Sequence, residues 1–141
     1  FNDPTIDSVN YTPFLTRAIL KPDLIVGTVG NPPATAQPGQ DFEVASQVVN
    51  IGAGMASASN VGFYLSPTPI KGLGAVKLLG ALTIINLASG ANASGQRTVT
   101  VPRTTPLGAY YLIACANDSS RILERTKANN CTTSTTQVTI Q

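Results

Sequence analysis

Proline and glycine cut this chain into short segments whose apolar residues recur at every second position, and few folds accept that pattern. In DFEVASQVVN, 41–50, Phe42, Val44, Ser46 and Val48 share one face, and Glu43, Ala45, Gln47 and Val49 the other. That is the two-residue period of a strand with one buried side. LIVGTVG at 24–30 predicts a first strand, closed by Asn31, Pro32 and Pro33, and a Pro38–Gly39 turn launches the next. Val61, Phe63 and Leu65 alternate in SNVGFYLSP. VKLLGALTIINL, 76–87, supplies one or two strands with Gly80 as a bend or bulge. Gly90 and Gly95 read as bracketing a turn before QRTVTV at 96–101. AYYLIACAN, 109–117, is the strongest strand, and TQVTIQ ends the chain with Val138 and Ile140 pointing inward.

Seven or eight short strands with no long helix between them predict an all-β domain built as a two-sheet β-sandwich, with a small barrel as the alternative. A parallel α/β sheet lacks its crossover helices here. No internal repeat and no second domain are found, so 21–141 is expected to form one sandwich.

Residues 1–20, FNDPTIDSVNYTPFLTRAIL, stand before that pattern as an arm. Pro4 and Pro13 oppose a regular helix across it. Ile6, Val9, Tyr11, Phe14, Leu15, Ile19 and Leu20 are too apolar for a solvated linker. Three fates stay open: packing on its own domain, docking on another copy, or no fixed partner.

Composition removes most chemistry. Only 11% of the 141 residues are charged, and there is no histidine. A Ser-His-Asp or Cys-His triad and a histidine-bearing zinc site are therefore excluded. Two cysteines cannot form a four-thiolate metal site. A formal net charge of +2 without a basic cluster offers nucleic acid little. No apolar stretch is long enough to span a membrane as a helix. The features of a signal peptide are absent too, so an exported protein would be read here in its mature form. No cofactor is expected.

Cys115 and Cys131 flank the connection between the strongest strand and the last one. An even cysteine count without histidine favours a disulfide, with two buried free thiols as the rival. A bridge implies an oxidising, extracellular setting. Asn-x-Ser/Thr sequons at Asn10, Asn92, Asn117 and Asn130 make glycosylation an option in a glycosylating host.

PDLIVGTV (22–29), then PG (38–39) and FEVASQVVNIG (42–52), resembles the opening of a CARDB domain, the cell-adhesion-related Ig-like module of bacterial and archaeal surface proteins. FYLSP (63–67), TVPRTTPLGAYYLIACAN (100–117) and RILERTKANNC (121–131) follow in the family's order, so the resemblance covers 22–140. It implies an extracellular, immunoglobulin-like two-sheet β-sandwich of structural, adhesive or spacer type, without catalysis. The sequence departs from the family at Asn117, which precedes Asp118 where an aspartate is common, and at Lys127, where a second acidic residue often follows Glu124. Both departures count against a calcium site in that loop.

Several residues have a plain reading beside a functional one. Asn129 and Asn130 are expected to shape a turn. Glu124 is expected in a surface pair with Arg121 or Arg125, worth little. Asn117, Asp118 and Glu124 are the one cluster that offers calcium any oxygens, and two carboxylates fall short of the six to eight ligands it takes; no metal is expected. Tyr110 and Tyr111 face opposite ways, one into the core.

Three functions follow. The first is a non-catalytic extracellular structural subunit of a surface or filament, associating with copies of itself through the arm. The second is a monomeric adhesion module contacting a cell-surface protein or polysaccharide through Tyr11, Tyr64 or Tyr111. The third is an accessory spacer of a larger secreted protein.

Overall fold

The computed structural model describes residues 20–141. Ile6, Val9, Tyr11, Phe14, Leu15, Ile19 and the sequon at Asn10 lie outside the described residues. Eight strands follow in order: β1 (Leu24–Val29), β2 (Thr35–Ala36), β3 (Asp41–Asn50), β4 (Ser59–Ser66), β5 (Val76–Ile84), β6 (Asn92–Thr100), β7 (Gly108–Cys115) and β8 (Cys131–Ile140). The expected all-β domain is there, but the strands are not divided into two separate sheets. They run in one hydrogen-bonded order, β1-β3-β6-β5-β4-β7-β8-β2, as a single strongly curled sheet.

β5 makes the sheet continuous. It pairs with β4 on both sides of an irregularity and touches β6 at Leu79–Thr100. Gly80, with φ at 108°, sits in that irregularity, in backbone territory that glycine enters without penalty. The bend expected at Gly80 is therefore what carries the strand from one side of the curl to the other. The curl nearly closes, because Thr132 Oγ1 of β8 donates to Val26 O of β1 at 2.6 Å.

The two-residue period places the core. Val44 and Val48 of β3, Val61, Phe63 and Leu65 of β4, Leu112 and Ala114 of β7, and Val138 and Ile140 of β8 meet inside the curl. Ser46 shares the inward face of β3, buried, and donates to Thr28 O. The expected turn between Gly90 and Gly95 is shorter than the sequence suggested, since β6 starts at Asn92 and Gly95 lies within it. Gly95 is there for space: a Cβ would come within 2.9 Å of Leu82 Cδ1. β2 was not foreseen. Its two residues run parallel to β8, Thr35 opposite Thr139 and Ala36 opposite Ile140.

Candidate functional site

The connections 51–58, 85–91 and 116–130 gather at one end of the curl, around the point where Leu20 and Lys21 enter. A buried polar network holds this pole together. Glu124, expected at the surface, is only 6% exposed. Its Oε1 accepts from Leu24 N at 2.7 Å, and its Oε2 from Asn117 Nδ2 at 2.8 Å and Asn130 Nδ2 at 2.7 Å. Asn117 also donates to Ile122 O, and Asn130 to Ala116 O. One carboxylate thus ties the start of β1 to both ends of the long β7–β8 connection. Charge-assisted bonds of this kind are roughly twice as strong as neutral ones.

Arg125 turns instead to Asp23, which is fully buried, with Nη2 to Oδ2 at 2.5 Å. Asn129 Nδ2 reaches the same oxygen at 3.3 Å. Asn50 completes the pole. Its Oδ1 accepts from Asp23 N and Gly52 N, and its Nδ2 donates to Gly54 O and Leu87 O. The Asn129–Asn130 pair therefore does more than shape a turn.

Asp118 leaves this network and faces outward across β4. Its two carboxylate oxygens each accept from Tyr64 Oη at 3.0 Å, and Lys77 Nζ lies 2.9 Å from Oδ2. Lys71 Nζ sits 4.4 Å from the centre of the Tyr64 ring. Gly62 makes the room, because a side chain there would run into the Asp118 carboxylate. Burial, then the hydrogen bond to Asp118, push the Tyr64 phenol above its ordinary 10.0. The hydrogen bond and charge of Asp118 raise Lys77 above its ordinary 10.5.

Both groups hold their protons more tightly in the folded state than in the unfolded chain. Their contribution to stability is full below pH 10 and is lost as pH rises through the folded values. The melting temperature should accordingly fall above pH 10, and Tyr64→Phe should flatten part of that fall. A parallel pH–melting series of the two proteins by calorimetry checks it, and identical slopes would refute the assignment.

The Asn117, Asp118 and Glu124 set does not suit a cation. Glu124 already meets three N–H donors, and Asp118 meets a phenol and two lysines. Three buried oxygens, Asp23 Oδ1, Asn129 Oδ1 and Asn130 Oδ1, accept no hydrogen bond. The one carboxylate among them is already paired with Arg125. Among the described residues, no three carboxylate or cysteine side chains converge as a metal cluster.

Cys115 and Cys131 stand directly opposite each other in the β7–β8 ladder and are joined by a disulfide. They face away from the core, since Leu112 and Ala114 take the inward positions and Ile113 and Cys115 the outward ones. The β4–β5 loop folds over this outer face, where Thr133 Oγ1 donates to Pro69 O at 2.6 Å. Tyr110 is the inward tyrosine, with its hydroxyl on Pro106 O at 2.7 Å, and Tyr111 is half-buried. Of the sequons, Asn92 is exposed at the start of β6. Asn117 and Asn130 are buried and spend their amides on Glu124, so the folded domain does not offer them for modification.

The CARDB family pattern matches residues 21–134. No curated protein matches the chain. Among solved structures, the chain is similar to the CARDB domain of a Pyrococcus furiosus protein, in complex with di-metal ions. The two share 21% identity with a TM-score of 0.53, over 86% of this chain and 90% of that one. It is also similar to residues 272–376 of a putative cell surface protein from Methanosarcina acetivorans, at 18% identity and a TM-score of 0.55, over 86% and 94% of the two chains. A β-glucosidase from Erythrobacter marinus contains the same fold, at 12% identity and a TM-score of 0.52, over 85% of this chain but 16% of the enzyme. Strands β1 to β7 and the Glu124–Asn130 closing segment lie within the matched stretch, and the chain belongs to the CARDB family of cell-adhesion-related, Ig-like bacterial and archaeal modules.

Proposed function

We propose that this domain is a structural subunit of an extracellular surface or filament, joined to copies of itself through residues 1–20. Family membership makes it a non-catalytic, cell-surface module. The observation that carries the finer reading is the arm. Its apolar residues precede a domain whose core, among the described residues, runs from Leu24 to Ile140. Low surface charge leaves little repulsion between copies. An arm landing on a different surface of its neighbour makes a contact that does not close, and the product is a filament. The finer two-layer description of the fold fits this reading as well, with β1, β3 and β6 presenting one broad face and β4, β7 and β8 the other.

Deleting residues 1–19 should abolish higher assemblies while the melting transition persists. Sedimentation velocity and calorimetry on both chains check this, and unchanged sedimentation would overturn it. The accessory-spacer reading is second, favoured by the occurrence of the fold as a small part of a β-glucosidase. An adhesion site built on tyrosines is less supported, since Tyr64 is engaged by Asp118 and Lys71. The di-metal ions of the Pyrococcus relative are not carried over, because the carboxylates here are already met by donors and cationic side chains.

A further inference from the structure

At one level of the sheet Val29 of β1 stands opposite Ser46 of β3, and Ser46 opposite Gly95 of β6. One step along, Ala45 faces Gln96, and Gln47 faces Ser94. These three strands line a trough of about 430 Å³. Its lining is small and carries no charged residue. Beside it runs an unprotected edge. β6 has β3 on one side, while on the other its one ladder pair with β5 is Leu79–Thr100. Over Asn92–Thr98 no strand is paired with that edge among the described residues, although Gly80 and Leu82 of β5 pack near Thr98 and Gly95. Backbone groups on such an edge need partners, and proteins usually guard it with lysine or proline. This stretch has neither, and its one charged residue is Arg97.

We propose that this trough and the adjoining edge of β6 receive the arm of a second copy. The inference rests on the self-association reading and names where on the neighbour the arm lands. The arm suits the site. Residues 9–16, VNYTPFLT, are uncharged and largely apolar, as the trough is uncharged. Pro13 is tolerated in a strand added at an edge. Nineteen residues before Leu20 span about 60 Å when extended, enough to leave one domain and cross the next. Backbone hydrogen bonds along the edge supply affinity, and side chains seated in the trough fix the register.

Three variants of the whole chain separate the arm from its receptor. Ala45→Arg places a long cationic side chain in the trough at an exposed position, and Ser94→Arg serves as a second blocker. Phe14→Asp with Leu15→Asp disables the arm. Each variant alone should sediment as a monomer of 14.6 kDa with its melting temperature kept. Mixed in equal amounts, the arm-disabled and trough-blocked chains should form a species of twice that mass and no larger, because one good arm meets one good trough. If the blocked variants still assemble while the arm-disabled one does not, the arm binds elsewhere. The proposal then fails and the self-association reading survives. If all variants assemble like the wild type, or the wild type is monomeric throughout, that reading fails as well. Absence of the mixed dimer, as when each arm folds onto its own trough, also overturns the proposal.

Discussion

Replacing Glu124 with alanine should lower the melting temperature by on the order of 10–20 °C. The carboxylate is buried and accepts three hydrogen bonds, from Leu24 N, Asn117 Nδ2 and Asn130 Nδ2. Its removal strands three donors in a place water reaches poorly. Leaving a buried donor unsatisfied costs about 1–3 kcal/mol, three donors lose their acceptor here, and each kcal/mol shifts a domain of this size by a few degrees. Glu124→Gln keeps the shape and one acceptor but turns an amide toward the asparagines, so its loss should be smaller. Calorimetry of the three proteins tests the order. A Glu124→Ala protein melting within about 2 °C of wild type would mean that the network contributes little.

The second large effect is on the disulfide. Cys115→Ser with Cys131→Ser should cost about 3 kcal/mol, the chain-entropy value for a loop of this length. The two positions are ladder partners on the outer face of the sheet, so the double variant should keep its strands and its core. The cost should appear chiefly in the connection at 116–130. Its amides are expected to exchange faster with deuterium, while those of Phe63 and Leu112 keep their protection relative to global unfolding. Loss of the β7–β8 ladder would contradict this. So would uniform protection of the connection.

What the sequence disclosed and what it hid follow from one physical distinction. Strands announce themselves because burial on one face imposes a period, and the alternation at Phe42–Val48 and Val61–Leu65 named the inward faces correctly. Loops carry no period. Glu124 sits between residues that look solvated, and its burial depends on partners in three other segments. Nothing in its own surroundings marks it. Gly95 misled for the related reason that a glycine in a strand and a glycine in a turn are written alike. The contact with Leu82 that requires it joins strands distant in sequence. β2 was hidden between prolines because two residues are too few to show any alternation. Whether the strands form two sheets or one depended on a single contact, Leu79–Thr100, which no local pattern encodes.

The short parallel pairing of β2 with β8 bears on how the domain carries load. Leu20 enters at one pole, while β8 runs away from that pole and ends at Ile140 beside Ala36. The entering segment and β8 therefore travel side by side in one direction. Their cross-links are spaced along the whole length: Thr132 on Val26 O, Asn31 Oδ1 on Thr135 and Thr136, and the amides of Thr139 and Gln141 on Ala34 O and Ala36 O. Tension between residues 20 and 141 pulls these bonds along the strand axis, so they share the force and must break together. An antiparallel pair with both ends at one pole would peel open one bond at a time. Under tension applied at residues 20 and 141, that geometry makes the domain a stiff link.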